Sequence, residues 1–444
     1  MASAAEQLAA NMNAGAFAKA TDLHKRLWFT LGALIIYRLG THIPIPGINL
    51  EAFQRAFQGQ SQGVLGMFNM FSGGAVQRMA IFALNVMPYI SASIIVQLMG
   101  TIYPPWEKLR KEGGEAGRKQ MNQYTRYLAV VLAVFQSFAI AMGLQNSPGL
   151  VYDPGISFVL STVVALTGGS LFMMWLGEQI TARGVGNGVS LIIFAGIAAG
   201  LPTLSAQLLT MVHTGSLSFA TLLIIAVMMV AVIGFIVFVE RAQRRLLVQY
   251  PKRQVGNRMY GGDSSFLPLK VNTSGVIPPI FASSLLLFPA TIASFQSPGG
   301  EPGIAQWLQT YLAHGTPLYL LAYIGLIVFF CFFYTTVVFN PVDTADNLKK
   351  NGGFVPGIRP GKNTAEYLEH ILNRLTVIGA LYLSLVCILP ELLIARGGVP
   401  FYFGGTSLLI VVSVTLDTVT QIQAHLLAHQ YEGLIKKARL RGRR

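Results

Sequence analysis

The chain has 444 residues, of which 53% are hydrophobic and only 11% are charged. Soluble proteins carry about 25% charged residues, so this composition excludes an ordinary soluble protein, and disorder requires the opposite composition. The 32 Lys and Arg outnumber the 18 Asp and Glu, giving a net charge of +14. Composition therefore predicts an integral membrane protein with a basic part outside the membrane. Cys331 and Cys387 lie in apolar stretches, which indicates neither a disulfide framework nor a cysteine metal site.

Long stretches without charge mark the membrane spans, because about 20 apolar residues cross the hydrocarbon core. The apolar blocks are continuous rather than alternating, which excludes a transmembrane β-barrel and favours an all-α helical bundle. Residues 1–26 contain no apolar core of a signal peptide, so we expect the first helix to remain in the mature protein. The ten predicted spans lie within residues 27–39, 79–106, 127–152, 154–177, 184–239 (two spans), 271–300, 302–342, 375–393 and 402–423.

The positive charges are distributed unequally between the two sides of the predicted membrane. The termini and every second connection carry 28 Lys and Arg, in residues 1–26, 103–126, 178–188, 240–271, 340–374 and 421–444. The opposite side carries 4, namely Arg38, Arg55, Arg78 and Arg396. The positive-inside rule therefore predicts that both termini are cytoplasmic.

Two cytosolic loops, 240–271 and 340–374, are longer than orientation alone requires. In the first, residues 246–250 and 267–271 can pair as short strands around a basic tip that contains Lys252, Arg253 and Arg258. In the second, a Pro/Gly turn (PGIRPG) presents Arg359. Arginine on such a turn suits contact with phosphate or carboxylate. Topology with attraction to anionic lipid and docking of a ribosome or an acidic partner protein both remain open.

The membrane part contains few groups that could support ion coupling or catalysis. Asp417 is the one acidic residue well inside a predicted span, and we expect it to bond within the bundle rather than bind an ion. No histidine lies near the middle of a span, and no P-loop is present. Residues 168–170 (GGS) are small and predict a patch where helices can pack closely. We predict no enzyme, no metal and no cofactor.

Two apolar segments are unusual. Residues 63–74 (GVLGMFNMFSGG) are too short to span the membrane and predict either a re-entrant segment or an interfacial helix. Val86 and Ile90 share a helix face beside Pro88, which we expect to break the helix. Val189 and Ile193 form a similar pair. Aliphatic pairs at this spacing are by themselves typical of core or lipid contacts.

Several longer motifs resemble those of the SecY family, the central subunits of the bacterial protein-translocation channel. They are FNMFSGGA (68–75), MPYISASIIVQL (87–98), QYTRY (123–127), MWLGEQITARGVGNGVS (174–190), LPLKVN (267–272), FNPVDTADNLKKNGGFVPGIRPG (339–361) and VPFYFGGTSLLIVV (399–412). The resemblance implies ten helices in an inverted 5+5 clamshell, with halves 27–212 and 213–424 hinged near 213–216. A basic cytosolic tail at 425–444 follows.

The resemblance also assigns roles to individual residues. It implies an aliphatic pore ring at Val86, Ile90, Val189, Ile193, Ile280 and Ile410. It implies polar residues of a lateral gate at Gln136 and Asn272, for which ordinary interhelical hydrogen bonding is the alternative. It makes Lys252, Arg253, Arg258 and Arg359 docking residues. Finally, it implies a plug formed by Gly63, Val64, Leu65, Gly66, Met67, Phe68, Asn69, Met70, Phe71, Ser72, Gly73 and Gly74.

The implied function is a protein-conducting channel of the bacterial cytoplasmic (inner) membrane, which passes unfolded preproteins across and membrane helices sideways into the bilayer. The implied partners are the SecE and SecG subunits, the SecA ATPase, the ribosome, preproteins with their signal sequences, and membrane lipids. A secondary transporter for small solutes is the alternative function.

Overall fold

The computed structural model describes residues 20–60, 64–147, 149–215, 218–251, 253–255, 258–260, 264–294, 316–397 and 405–441. Helices dominate these ranges, as composition predicts. The first group of helices is α1 Thr21–Gly40, α2 Leu50–Gln60, α3 Val64–Phe71, α4 Met87–Ile102, α5 Pro104–Glu112, α6 Gly114–Asn146, α7 Ile156–Arg183, α8 Gly188–His213 and α9 Phe219–Arg241. Then follow β1 Gln243–Gln249, β2 Arg253–Val255, β3 Arg258–Tyr260, β4 Ser264–Lys270, α10 Ile277–Ser294, α11 Pro317–Val338, α12 Pro341–Lys350, α13 Lys362–Gly397 and α14 Gly405–Arg441.

The long apolar helices agree with a multi-pass membrane protein. Among the described residues, 7 helices are long and apolar enough to cross a membrane, and they include α6, α7, α8, α9, α11, α13 and α14. Two further apolar helices are shorter, at Met87–Ile102 and Ile277–Leu286. Each predicted span thus contains a helix, with α1 in the first.

The second span begins later than the sequence predicts. Residues 72–86 form turns, and α4 starts only at Met87. Pro88 does not break the helix but occupies its first turn, where a missing N–H leaves no bond unmade. Met79 and Asn85 have φ of 42° and 49°, which a helix cannot accommodate. Residues 72–86 are called the crossing segment below.

The chain divides into two compact units. The first unit comprises the described residues of Met1–Thr210, Leu287–Thr310 and Ile410–Arg444, and the second those of Met211–Leu286 and Tyr311–Leu409. In the first unit α1 packs against α7, and α6 packs against both α4 and α7. One core joins α2, the crossing segment, α6 and α7 through Ile45, Ile48, Phe53, Phe57, Val76, Met79, Ala83, Leu84, Ile140, Leu144, Phe158 and Leu166. The helix α2 was not predicted from the sequence.

In the second unit a β-ribbon packs on the first turns of α13. β1 and β4 are antiparallel with Leu246 opposite Leu267, which confirms the predicted pairing of strands. α11 and α12 also pack against α13. The ribbon and α13 share a core of Leu246, Leu269, Leu368, Ile371, Leu372 and Leu375. Because β1 and β4 are tied to this core, the ribbon has a fixed base.

The glycines of the predicted packing patch have different environments. A Cβ on Gly169 would overlap the carbonyl oxygen of Ile81 in the crossing segment, whereas a Cβ on Gly168 would meet nothing within 4 Å. The patch therefore allows a close backbone contact at Gly169 but not at Gly168. The backbone that approaches Gly169 belongs to the non-helical crossing segment and not to another helix.

We predict that Gly169→Ala lowers the free energy of unfolding by about 1–3 kcal/mol, because backbone has to move to admit the methyl group. Gly168→Ala is the matched control, which we expect to be neutral or to stabilise by up to about 1 kcal/mol. Denaturant unfolding in detergent micelles measures both. Equal destabilisation of the two variants would contradict the close approach at Gly169.

Candidate functional site

The predicted plug segment (residues 63–74) consists of the short helix α3 and the turn that follows it. Gly63 lies outside the described residues, as do the side chains of Val64, Leu65, Met67 and Phe68. At the end of α3 the Asn69 carbonyl accepts from Gly74 N at 2.8 Å, and its side-chain Oδ1 accepts from Gln77 N at 2.8 Å. Ser72 Oγ also donates to the Asn69 carbonyl, at 3.0 Å. Asn69 thus closes the turn that ends the helix.

Four of the six predicted ring residues lie at the starts of two helices of the first unit. Val86 immediately precedes α4, and Ile90 N donates to its carbonyl at 3.0 Å. Val189 and Ile193 occupy the first turns of α8, with Val189 half-buried over Gly177. Val86 and Ile90 are 1% and 5% exposed, and Ile193 is 4% exposed.

The other two ring residues lie elsewhere. Ile410 is buried in α14 and belongs to the first unit, whereas Ile280 is half-buried in α10 and belongs to the second. The backbone carbonyl of Ile280 accepts hydrogen bonds from the hydroxyls of Ser283 and Ser284, at 2.9 and 2.7 Å. As members of one ring these residues remain a prediction.

The two predicted gate residues have different surroundings. Asn272 is 3% exposed. Its amide nitrogen donates to Glu240 Oε1 at 2.8 Å and to the Gly275 carbonyl at 2.9 Å, and its Oδ1 accepts from Ser274 Oγ at 3.1 Å. Gln136 is half-buried in α6 and makes no side-chain hydrogen bond to the described residues. Asn272 therefore joins the end of α9 to the start of α10, which is a structural use of its amide.

The two basic loops are hydrogen-bonded to each other, a contact that no sequence pattern predicts. Gln249 and Phe354 exchange two backbone hydrogen bonds, at 2.9 and 3.0 Å. Gly353 makes this approach possible, because a Cβ there would lie 3.0 Å from Tyr250 and 3.2 Å from Val248. The β-ribbon, α12 and the Arg359 turn therefore form one surface, here called the docking platform.

Cations are exposed around this platform. Arg359 is exposed on a turn in which Gly357 has φ of +83° and Thr364 Oγ1 donates to the Arg359 carbonyl at 2.9 Å. Lys252 lies outside the described residues, as do the side chains of Arg253 and Arg258. The other exposed cations are Arg244, Arg245, Lys270, Lys349, Lys350 and Lys362. Fixed backbone with exposed cations suits an anionic partner.

Asp417 does not bond within the bundle as expected. Its side chain is exposed on α14 and has no hydrogen-bond or ion-pair partner among the described residues. One turn further along α14, Gln421 Oε1 accepts from Gly186 N at 2.8 Å, in the turn between α7 and α8. The face of α14 on which Asp417 lies was not predictable from the uncharged residues around it.

An ion pair that was not predicted from the sequence joins two of the motifs shared with the family. Arg126 Nε and Nη2 donate to the two carboxylate oxygens of Glu178, at 2.9 and 2.8 Å. This bidentate pair joins α6 to α7. The sequence does contain a signal for this pair, because Arg126 and Glu178 carry opposite charges at the adjoining ends of two consecutive spans. Among the described residues no group of three or more His, Cys, Asp or Glu could hold a metal.

Comparison with known proteins supplies the family. The SecY family model matches residues 80–419. The chain is 55% identical to protein translocase subunit SecY of Escherichia coli K12 over 427 residues, which covers 95% of this chain and 96% of that protein. It is 53% identical to the subunit of Rickettsia bellii over 424 residues, with 95% and 97% covered.

Solved structures agree in fold. A protein-conducting channel superimposes with a TM-score of 0.66 at 18% identity, covering 91% of this chain and 92% of that one. Sec61 in the canine ribosome-channel complex from the endoplasmic reticulum has a TM-score of 0.62 at 17% identity, with 91% and 92% covered. A further match at 0.66 is a SecY protein whose plug domain stabilises the closed channel and maintains a membrane seal.

These features define the class as a helical membrane protein with the fold of a protein-conducting channel. The chain belongs to the SecY family of protein translocase subunits, as its motifs indicated. The main predicted function, a translocation-channel subunit and not an enzyme, is confirmed, and the alternative of a small-solute transporter gains no support.

The Asn272 contacts generate a prediction that separates structure from gating. Asn272→Leu should lower the free energy of unfolding by about 1–3 kcal/mol, because it removes bonds from buried partners. Gln136→Leu is the control and should leave stability within about 0.5 kcal/mol. Denaturant unfolding of both variants in micelles measures this. If Asn272→Leu were as stable as the parent, its amide would be free for a gating role alone.

Proposed function

We propose that the chain forms the pore of the translocation channel, with the plug segment as its resting seal and the ring residues as its constriction. One observation carries this proposal. Val189, Ile193 and Gly196 share a face of α8, and a Cβ on Gly196 would lie 2.5 Å from the Phe71 carbonyl at the end of α3. The same helix face thus presents an aliphatic pair and contacts the plug segment.

The chemistry of an aliphatic ring suits this role. A translocating chain is unfolded and varies in polarity along its length, so no fixed set of polar groups could recognise every part of it. Branched aliphatic side chains such as Val86, Ile90 and Ile193 bind none of it tightly, and a narrow apolar constriction excludes ions by dewetting. Such a ring is compatible with any sequence of cargo.

We further propose the ten-helix clamshell around this pore, opening laterally to lipid near Gln136 and Asn272. The change of unit between Thr210 and Met211 supports two halves, although Leu287–Thr310 and Ile410–Arg444 belong to the first unit. The distribution of 28 Lys and Arg on one side and 4 on the other supports cytoplasmic termini in the bacterial inner membrane. SecE and SecG are the proposed small subunits, and signal sequences and membrane helices the proposed users of the gate.

The docking platform is the proposed binding surface for SecA or the ribosome. Its support is the pair of hydrogen bonds between Gln249 and Phe354, which fixes both basic loops in one place. Arg359 lies on the second of these loops and is exposed. If ribosomal RNA is the partner, binding should weaken steeply with salt because phosphate contacts release counterions.

The direct test of the proposed function is translocation itself. The full chain is reconstituted with SecE, SecG and SecA in vesicles, and a preprotein is assayed for protection from external protease. We expect protected preprotein to accumulate only with ATP. Uptake of a small solute without any protected preprotein would instead support the transporter alternative.

Reversal of charge at the platform tests docking. Arg359→Glu should reduce translocation at least tenfold while leaving expression and membrane insertion unchanged, because it places a carboxylate where an anionic partner binds. Arg55→Glu, at an exposed arginine in α2, is the control and should translocate normally. Loss of folded protein in Arg359→Glu would mean that Arg359 is structural.

Deletion of residues 63–74 tests the seal. We expect the resting ion conductance of the reconstituted channel to rise, because the pore would lose its plug. Planar bilayer recordings without SecA or preprotein measure this conductance. Conductance equal to that of the parent would contradict a sealing role for this segment.

A further inference from the structure

The turn that ends the plug segment is bound on three sides by other elements of the first unit. This turn, residues 71–74, is called the exit turn. Arg38 Nη1 of α1 donates to the Gly73 carbonyl at 2.6 Å. Asn85, at the end of the crossing segment, donates from Nδ2 to the Phe71 carbonyl at 2.7 Å. Gly196 of α8 approaches the same carbonyl and Gly73 N.

Each of these contacts depends on a particular residue type. A Cβ on Gly196 would lie 2.5 Å from the Phe71 oxygen and 2.9 Å from Tyr37 Oη, so only glycine permits the approach. Asn85 is 1% exposed and has φ of 49°, a conformation that Asn tolerates better than most residues. Ser170 Oγ donates to the Asn85 carbonyl at 3.0 Å, which ties Asn85 in turn to α7.

The hydrogen bonds to the exit turn oppose movement of the plug segment. Backbone carbonyls at Phe71 and Gly73 would be left unpaired in a buried setting if the exit turn moved, and such groups are costly to leave without partners. These contacts therefore fix the C-terminal end of the plug segment.

We propose that Arg38 and Asn85 are positioning residues that keep the plug segment in its closed place through the exit turn, with Gly196 admitting the turn against α8. This inference rests on the proposed role of residues 63–74 as a seal. It adds that opening competes with two specific hydrogen bonds and one close glycine contact.

Five variants of the full chain test this proposal in planar bilayers. Arg38→Gln shortens the donor, Asn85→Gly removes the amide while suiting the positive φ, and Gly196→Ala adds a methyl group. Each should raise the resting ion conductance roughly tenfold, the population change expected when one buried hydrogen bond is lost. Two matched controls, Gly200→Ala, whose Cβ would meet nothing within 4 Å, and Arg55→Gln, should leave it unchanged.

A second measurement does not depend on conductance. Hydrogen exchange of the amides at residues 73–77 should accelerate in the three variants and not in the controls, because these amides close the exit turn. Arg38→Lys retains a donor and should restore slow exchange and low conductance in part. Thermal unfolding of every variant reports whether any has simply lost its fold, and three variants on three elements keep the test independent of one folding defect.

The deletion of residues 63–74 is recorded beside these variants to separate two failures. If the deletion raises conductance and the three variants do not, the positioning role is wrong while the seal stands. If the deletion leaves conductance unchanged, the seal itself fails and the inference fails with it. Unchanged exchange at residues 73–77 in all three variants would overturn the positioning role whatever the conductance.

Discussion

The crossing segment places non-helical backbone inside a predicted membrane span, where water cannot satisfy its polar groups. Neighbouring elements of the first unit therefore have to supply its hydrogen-bond partners. Ile45 N donates to the Met79 carbonyl at 3.0 Å and Ile81 N to the Ile43 carbonyl at 3.0 Å. Asn85 and Ser170 supply the side-chain bonds further along. The segment is tolerated because protein, and not lipid, surrounds it.

A segment paired in this way can position what lies at its two ends. The plug segment overlaps its first residues, Val86 is its last residue, and Ile90 follows in the first turn of α4. The second unit uses a different device for its loops, where backbone bonds between Gln249 and Phe354 and an apolar core on α13 fix the docking platform. Both units thus fix functional segments with backbone hydrogen bonds. The cargo would meet aliphatic side chains, whereas the charge of +14 is concentrated in the loops.

Sequence patterns predicted the features that depend on composition over many residues. Charge-free stretches located a helix in every span, and the predicted pairing of 246–250 with 267–271 located the ribbon. Contacts between distant backbones were not predictable. The approach of Gly196 to Phe71 joins residues far apart in the chain and has no side-chain signature. Asp417 was misjudged because a lone carboxylate in an apolar stretch does not report which helix face it occupies.

Photo-crosslinking of an arrested preprotein tests most directly whether this chain is the conduit. A photoreactive residue is placed singly at Ile90, Ile193 and Ile280, and at Leu381, an exposed aliphatic residue of α13, as the control. We expect crosslinks from the three ring positions to the arrested chain and none from Leu381. Crosslinks from Leu381 but not from the ring positions would contradict a pore lined by these residues.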